Sequence, residues 1–289
     1  MIANFLNIAF SGVAYGVLLF LMAAGLAVTQ GLMNFLNLTH AVFAMLGGYL
    51  AVTLMNGLGW PFFATLPVAT LGAALLGMLL ERTLFRRMYG ADRHLDQIML
   101  TIGLTFMAVA ATTYIWGPNP LPVRLPPYLT GLVHIGFLDL DRYRLFLIAV
   151  GIVLITLLIL GFERTSFGAK IRAAVDNRRV TASCGIDVDR LFMFAFLIGS
   201  GLAGLGGALS VNLLSVDPNF AVAFLAYMLI VVTLGGQNGS IKGALGAALL
   251  LGIADVLGKY YVPQTGAFII YTVTVIVLFC RPNGLFARA

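Results

Sequence analysis

The sequence predicts an all-α, polytopic membrane protein with eight or nine transmembrane helices. Of its 289 residues, 61% are hydrophobic and only 10% are charged, and the mean hydropathy is +1.00. A soluble domain of this length would expose far more charge. The apolar residues also form repeated runs that are long enough to cross a bilayer as helices, whereas the strands of a membrane barrel are short and alternate.

The apolar runs follow one another along the whole chain. They lie near residues 8–30, 35–55, 61–80, 98–116, 144–162, 191–213, 219–235, 243–259 and 264–280. Because the runs 35–55 and 219–235 are short or interrupted by glycine, a broken or re-entrant helix in place of one full span stays open. No linker composition separates the runs, so we expect residues 1–289 to form a single transmembrane domain.

The basic residues predict how these spans are oriented. With nine spans, thirteen Lys and Arg residues fall on one side of the membrane and four on the other. Because basic loops stay in the cytoplasm, we expect the N-terminus outside and the C-terminus in the cytoplasm. The net charge of +6 is spread over several loops and gives little ground for nucleic-acid binding.

The longest loop on the expected exterior side is residues 117–143. Its first half contains five prolines, namely Pro118, Pro120, Pro122, Pro126 and Pro127. The residues that follow, VHIGFLDLDRYR, partly alternate apolar and polar side chains. This pattern predicts an extended segment or a small hairpin lying on the membrane.

The most informative part of the chain is a basic segment, residues 162–190, between two apolar runs. It holds six of the 17 Lys and Arg residues: Arg164, Lys170, Arg172, Arg178, Arg179 and Arg190. Its apolar residues fall on one helical face: Phe167, Ile171, Ala174 and Val175. This pattern predicts a short amphipathic helix that either lies on anionic lipid or docks a soluble partner.

Turn and capping residues delimit the rest of the basic segment. Gly185 can end a second short helical turn, and Asp187 or Asp189 can cap the next span.

Polar residues inside the predicted spans are candidates for a functional site, because placing them in lipid is costly. The densest group stands at the start of the second run and comprises Asn34, Asn37, Thr39 and His40. These side chains predict the lining of a hydrated pathway. The alternative is that they cap a helix and hydrogen-bond to a neighbouring one.

Two pairs of adjacent glycines extend this predicted pathway. They are Gly47 with Gly48, and Gly235 with Gly236, the latter close to Asn238. The first pair is followed by LGAALLG and the second by LGAALLLG. The similarity predicts an internal repeat of the kind found in transporters, although small residues also recur in membrane helices because they allow close packing.

Several classes of function find no support in the sequence. Asp255 and Lys259 stand four residues apart and are expected to neutralise each other, so no proton relay is indicated. No nucleophile with a base and no phosphate-binding glycine–lysine loop is present, which argues against an enzyme and against ATP hydrolysis by this chain. The cysteines Cys184 and Cys280 have no metal-binding spacing.

The basic segment resembles the cytoplasmic loop of ABC-importer permeases of the branched-chain amino acid family, H-type. That family shows the pattern T-x-x-G-x-x-x-R-A, followed by an acid and Asn, an Ala, and a Gly-Ile pair. The matching residues are Thr165, Gly168, Arg172, Ala173, Asp176, Asn177, Ala182, Gly185 and Ile186. The resemblance assigns these residues to coupling with an ATPase.

Three further segments are similar to the same family, in the same order. They are NFLNLTHAVFAMLGGYLA at 34–51, LGGQNGSIKGALGAALLLG at 234–252 and RPNGLFAR at 281–288. The chain departs from the family pattern at Ala41, Lys242, Ala287 and the Arg178–Arg179 doublet. Ala41 replaces the glycine after the histidine, which leaves the solute open.

The resemblance implies a permease subunit of an ATP-driven importer in the bacterial inner (cytoplasmic) membrane. Its partners would be a second, M-type permease, two cytoplasmic ATPase subunits and a periplasmic solute-binding protein. ATP and Mg would bind to the ATPases, and this chain would carry no cofactor. The basic segment would couple to an ATPase, and residues 117–143 would face the binding protein.

The implied solute is a branched-chain or other hydrophobic amino acid, since an apolar pathway with few charges suits a zwitterion with an aliphatic tail. Urea, short amides and aromatic acids stay open within the same family. A passive channel for a small neutral solute is the alternative from another class. A channel has no need of an ATPase-docking loop, so the basic segment argues for the importer.

Overall fold

The computed structural model describes residues 2–33, 37–88, 94–121, 123, 125–135, 138–235, 241–282 and 284–285. Within them, the α-helices are α1 (Ile2–Met33), α2 (His40–Leu58), α3 (Phe62–Thr83), α4 (His94–Trp116), α5 (Arg142–Arg164), α6 (Ser166–Asp176), α7 (Arg178–Ser183), α8 (Val188–Ser210), α9 (Phe220–Gly235), α10 (Ile241–Tyr261) and α11 (Gly266–Cys280). The all-α prediction is confirmed.

Nine of these helices coincide with the nine apolar runs. Seven of them are long and apolar enough to cross a membrane, and α9 and α11 are shorter apolar helices. The remaining two, α6 and α7, both lie in the basic segment. The helix α2 begins at His40, later than its apolar run, because residues 37–39 form a turn in front of it.

The loop of residues 117–143 contains the small hairpin that its alternating pattern predicts. Strands β1 (Leu132–Ile135) and β2 (Leu138–Asp141) pair antiparallel, with Leu132 opposite Asp141. A hydrogen bond between the His134 ring and the Asp139 carboxylate joins the two strands. Asp141 then caps α5, since its side chain accepts a hydrogen bond from the amide of Tyr143 at 2.8 Å.

The helices α1 and α8 form the centre of the fold. The most extensive packing is that of α1 along α10 and of α8 along α3, and α1 and α8 also pack on each other. The helices α1, α2 and α3 pack in the same way as α8, α9 and α10. The contact of α1 with α10 corresponds to that of α8 with α3, and the contact of α2 with α8 corresponds to that of α9 with α1. This correspondence supports an internal repeat. The glycine pairs that predicted it are not equivalent, however, because Gly47 is the eighth residue of α2 whereas Gly235 is the last residue of α9. If every apolar helix crosses the membrane, α8 runs opposite to α1, and the two halves are inverted.

Glycines let these central helices approach each other closely. Gly25 on α1 faces Gly199 on α8, and Gly16 on α1 faces Gly252 on α10. A Cβ atom on Gly25 or Gly252 would overlap the backbone of the facing glycine. Because lipid tails supply no hydrophobic drive for helix association, such close contacts carry much of the packing energy.

Contacts between helix ends show that the segments connecting the helices lie at two opposite ends of the bundle. Tyr143 Oη donates a hydrogen bond to the Leu209 carbonyl at 2.7 Å, which places the end of residues 117–143 beside the end of α8. At the opposite ends, an ion pair between Arg86 and Asp189 places the residues after α3 beside the start of α8. Both contacts agree with nine alternating spans.

The predicted pair of Asp255 and Lys259 is confirmed in α10. Their Oδ2 and Nζ atoms are 2.6 Å apart, with Asp255 buried and Lys259 half exposed. The ammonium group also lies 5.9 Å from the ring centroid of Tyr15. The pair neutralises a buried carboxylate near the end of the helix.

Candidate functional site

A turn at residues 37–39 positions the first helical turn of α2. Asn37 Oδ1 accepts a hydrogen bond from the Thr39 amide at 3.0 Å, and the Asn37 carbonyl accepts one from the His40 amide at 3.2 Å. This is an Asx turn, in which a side-chain oxygen replaces a backbone carbonyl. The neighbouring helix α4 holds the turn in place, because Thr39 Oγ1 donates to the Thr101 carbonyl at 3.1 Å.

His40 lies deep in the helix bundle. Its side chain is fully buried, and its ring meets that of Phe43 edge to face at 5.7 Å. The Met22 backbone of α1 lies beside the ring. Met22 precedes the end of α1 by eleven residues, or about 16 Å at the rise of an α-helix. The first turn of α2 therefore lies well inside the bundle and away from the end of α1.

Three side-chain nitrogen atoms at this turn are buried without hydrogen bonds in the described part of the chain. They are Nδ2 of Asn37 and the two ring nitrogens of His40. The Met22 backbone does not meet hydrogen-bond geometry with the imidazole. Buried polar groups in folded proteins are usually paired, so this turn has unused hydrogen-bonding capacity.

A stripe of buried polar residues on α4 faces the same region and was not predicted. Its members are Gln97, Thr101, Thr105 and Thr112. Thr105 Oγ1 donates to the Leu38 carbonyl at 3.3 Å, so the stripe also supports the turn before α2. The spacing of four residues between successive members is visible in the sequence and could have identified the first three. Glu81, near the end of α3, is a further buried polar residue that was not singled out.

The structure places the predicted pathway glycines at close helix contacts. A Cβ atom on Gly47 would overlap the carbonyl of Gly204 on α8, and one on Gly48 would lie 3.0 Å from the Val216 side chain. Gly235 ends α9 and would bring a Cβ within 2.6 Å of the Ala244 amide. The remaining predicted residues of the pathway, Asn34, Gly236 and Asn238, lie outside the described residues.

The basic segment forms two short helices that bridge α5 and α8. Thr165 caps α6, since its Oγ1 accepts from the Gly168 amide at 3.4 Å. A Cβ atom on Gly168 would overlap the carbonyl of Phe162, so only glycine lets α6 lie this close to the end of α5. Arg172 also donates a hydrogen bond to that carbonyl. These contacts attach α6 firmly to α5.

The two faces of α6 differ as its pattern predicts, with one correction. Phe167 is partly buried and Ile171 and Ala174 are buried against the helix bundle. Val175, predicted on the same face, is 41% exposed, because it lies one residue beyond the narrow stripe that Ile171 and Ala174 define. The exposed residues of α6 are Ser166, Ala169, Lys170, Arg172, Ala173, Val175 and Asp176.

The helix α7 continues the exposed surface. Asn177 caps it by accepting from the Val180 amide at 3.0 Å, and Ala182 is exposed. Gly185 has φ +80°, which ends the helix as predicted, because side chains disfavour this left-handed conformation. The half-buried Ile186 follows. A groove of about 330 Å³ separates α6 from the start of α8, and its lining includes Lys170.

An ion-pair cluster attaches α7 to the bundle. Asp189, in the first turn of α8, pairs with Arg178 of α7 at 2.8 Å and also with Arg86, which follows α3. Arg178 additionally lies 5.4 Å from the ring centroid of Phe192. Asp187 caps α8 through the Arg190 amide at 3.0 Å. Asp189 therefore joins α7 and the residues after α3 at the start of α8.

We expect Asp189→Asn to loosen the attachment of α7 to the helix bundle while leaving the fold intact. Each pair is about half exposed, and exposed pairs contribute about 0.2–1 kcal/mol to stability. Thermal unfolding in detergent should therefore change little, whereas proteolysis within residues 177–186 should accelerate as α7 detaches. Asp96→Asn, at an exposed acid in the first turn of α4, is the matched control. Equal rates of proteolysis in the wild type, Asp189→Asn and Asp96→Asn would show that Asp189 does not hold α7.

On the opposite side of the fold, an open pocket of about 650 Å³ lies between the end of α2, the start of α3 and the proline-rich loop. Its lining is Met55, Asn56, Trp60, Pro61, Phe62, Pro126 and Tyr128. The rings of Phe63 and Tyr128 stack beside it at 5.6 Å. The pocket is an aromatic recess on the side away from the basic segment.

The comparisons with known proteins agree with one another. Residues 8–278 match the family described as "Branched-chain amino acid transport system / permease component". The permease protein BraD of Pseudomonas aeruginosa is 25% identical over 99% of this chain and 97% of its own length. LivH of Escherichia coli K12 is 27% identical over 98% of this chain and 96% of its own length.

A second Escherichia coli K12 permease protein, LivM, is 26% identical over 92% of this chain and 67% of its own length. All three relatives are described as permease proteins of a high-affinity branched-chain amino acid transport system. No solved structure matches the chain significantly.

Proposed function

Since this chain belongs to the family of permease components of branched-chain amino acid transport systems, we propose that it is one of two permease subunits of an ATP-driven amino acid importer. The solute is a branched-chain or another hydrophobic amino acid. The bundle of apolar helices makes the chain a multi-pass membrane protein. The importer lies in a bacterial inner membrane, with the basic segment in the cytoplasm and the N-terminus outside.

The observation that carries this proposal is the exposed, basic surface of α6 and α7, fixed at both ends to membrane helices. The α6 helix is attached to α5 through Phe162, and α7 is attached to α8 through Asp189. A soluble partner that binds this surface can therefore move two spans together. A passive channel has no use for such a device.

The proposed partners on this surface are two cytoplasmic ATPase subunits, one for each permease. They bind ATP and Mg, and this chain supplies no catalytic residue. The residues that the sequence assigns to coupling are nine: Thr165, Gly168, Arg172, Ala173, Asp176, Asn177, Ala182, Gly185 and Ile186. Of these, Arg172, Ala173, Asp176 and Ala182 have exposed side chains that can touch a partner. Thr165 and Gly168 instead position α6.

The second permease subunit is an M-type chain. Both LivH and LivM of Escherichia coli are described as permease proteins of one kind of transport system, and both are similar to this chain over most of its length. Two related chains of this kind can pack around a common pathway. A periplasmic binding protein then delivers the solute to the exterior side, where residues 117–143 and the aromatic pocket lie.

The mechanism that we propose is alternating access driven from the basic segment. Closure of the ATPases moves α6 and α7, and the attached α5 and α8 shift with them. Because α8 is packed on α1, α2 and α3, its movement changes the central contacts in both halves of the fold. ATP binding thus shifts the population between outward-open and inward-open states.

The solute pathway in this proposal passes the first turn of α2. Asn37, Thr39 and His40 are the polar residues of that turn, and Asn34, Gly236 and Asn238 extend the pathway along the sequence. Gly47, Gly48 and Gly235 contribute by keeping neighbouring helices close. The apolar surroundings suit an aliphatic side chain, and a few polar groups suffice for the charged ends of a zwitterion.

The experiment that tests the proposed function is purification of the tagged protein from its native membrane in mild detergent, followed by mass spectrometry. We expect two ATPase subunits and a second permease to co-purify. Reconstituted with the binding protein, the complex should take up leucine only when ATP is supplied. Purification of the chain alone or only as a homo-oligomer, with solute flux that needs no ATP, would favour the channel instead.

A further inference from the structure

The equivalent helices α2 and α9 begin after turns of the same local structure. Before α9, Asp217 Oδ1 accepts from the Asn219 amide at 2.7 Å, and the Asp217 carbonyl accepts from the Phe220 amide at 3.0 Å. Before α2, Asn37 makes the same two bonds to Thr39 and His40 at 3.0 Å and 3.2 Å. Since α2 and α9 are equivalent in the repeat, these are equivalent Asx turns.

The chemistry of the two turns is different although their geometry is the same. The turn before α9 carries a carboxylate, Asp217, and begins its helix with the apolar Phe220. The turn before α2 carries a neutral amide, Asn37, and begins its helix with His40. The turn before α9 also contains Asn219, but that side chain is exposed. Only the turn before α2 offers buried side-chain N–H groups, and only the turn before α9 carries negative charge.

The donors of the α2 turn are buried and unused. Asn37 and His40 are both fully buried, and the Asn37 Nδ2 and the His40 ring nitrogens have no hydrogen bond in the described part of the chain. Because Oδ1 and Nδ2 belong to one planar amide, the bond from Oδ1 to the Thr39 amide holds Nδ2 at the first turn of α2. A neutral imidazole adds one N–H donor beside it.

A helix N-terminus with free donors at this depth favours an anion. The His40 and Val42 amides are already bonded to the carbonyls of Asn37 and Thr39. The helix therefore contributes the positive potential of its dipole, and the free donors are the side-chain nitrogens. The helix in question is 19 residues long and has no side-chain cap at Thr39. The proposed solute has one negative group, its carboxylate, which all α-amino acids share.

We propose that the first turn of α2 binds the carboxylate of the transported amino acid, with Asn37 Nδ2 and His40 as donors. This inference rests on the proposed function. It explains how one pathway accepts different hydrophobic side chains, because the groups that it holds are common to all of them. The equivalent turn before α9 repels a carboxylate through Asp217, so of these two turns only the one before α2 forms such a site.

The first test is Asn37→Asp, which copies the turn that Asp217 already forms in this protein. The Asx turn keeps its acceptor, but the Nδ2 donor is replaced by negative charge. Hydrogen bonds to charged groups contribute enough that we expect ATP-driven leucine uptake by the reconstituted complex to fall by at least about tenfold. Co-purification of the other subunits should not change.

The matched control is Asp217→Asn, which makes the second turn like the first. Uptake by this variant should stay within about twofold of the wild-type rate, the variation expected of an exposed turn that makes no contact with the solute. If Asn37→Asp and Asp217→Asn transport equally well, the carboxylate site is wrong, although uptake by the wild-type complex still supports the proposed function.

The second test detects the carboxylate directly and does not depend on transport. The assembled complex is labelled with ¹⁵N-histidine, and the His40 resonance is assigned by its loss in His40→Phe, which copies Phe220. Leucine and 4-methylpentanoate should shift this resonance, whereas 3-methylbutylamine, which lacks a carboxylate, should not. The shift should disappear in Asn37→Asp. An equal shift with the amine, or none with either carboxylate, would overturn the site.

Discussion

Gly168→Ala is expected to uncouple ATP hydrolysis from uptake. The added Cβ atom would overlap the Phe162 carbonyl, so α6 must move away from the end of α5. Overpacking of this kind costs about 1–3 kcal/mol. It therefore lowers the equilibrium ratio of docked to displaced α6 by roughly fivefold to a hundredfold. Uptake per ATP hydrolysed by the reconstituted complex should fall by a similar factor, while the protein still inserts and assembles.

The matched control is Gly161→Ala in the last turns of α5. A Cβ atom at Gly161 meets no atom within 4 Å, and alanine also favours the helix by about 1 kcal/mol. This variant should couple as the wild type does. Equal ratios of uptake to ATP hydrolysis in both variants would mean that the contact between α6 and α5 does not carry the coupling.

Gly207→Ala should have the largest effect on stability. Gly207 of α8 packs on α2, and a Cβ atom there would overlap the backbone carbonyl of Ala44. A backbone atom cannot move aside as a side chain can, so α2 and α8 must separate. We expect a loss of stability at the upper end of overpacking, about 3 kcal/mol. A lower apparent Tm in nanodiscs and less protein recovered from the membrane would follow.

The comparison for this variant is Gly103→Ala on α4, where an added Cβ atom meets no atom within 4 Å. The same chemical change should there leave the apparent Tm unchanged or raise it, because alanine is the better helix former. A lower Tm in Gly207→Ala and an unchanged or higher Tm in Gly103→Ala would separate the effect of close packing from that of helix propensity. Similar Tm values for the two variants would show that α2 and α8 are less tightly packed than the structure indicates.

The spans and their order could be predicted from the sequence because membrane insertion depends on local composition. A bilayer requires runs of about 20 apolar residues with their backbone groups paired internally, and each of the nine runs became a helix. The amphipathic α6, the hairpin in residues 117–143 and the Asp255–Lys259 pair were also predicted, since each depends on residues only a few positions apart.

The candidate site could be predicted only in part. The polar group at Asn37, Thr39 and His40 was found because polar residues stand out in an apolar run. The stripe of Gln97, Thr101 and Thr105 was missed because threonine is common in membrane helices and its hydroxyl can bond to its own helix. The nine coupling residues came from the family resemblance. Their role in coupling, and the role of Asn37, Thr39 and His40 in the pathway, stay predictions.

The sequence by itself determined the class of the protein, the positions of its membrane helices and the basic segment that faces one side. These properties follow from hydropathy, charge and short-range periodicity. Only the tertiary structure decided that Gly168 allows α6 to touch α5, that Asp189 joins Arg86 to Arg178, and that the turns at Asn37 and Asp217 are equivalent. Such pairings depend on how distant helices pack, and close packing is decided by the fit of both surfaces at once.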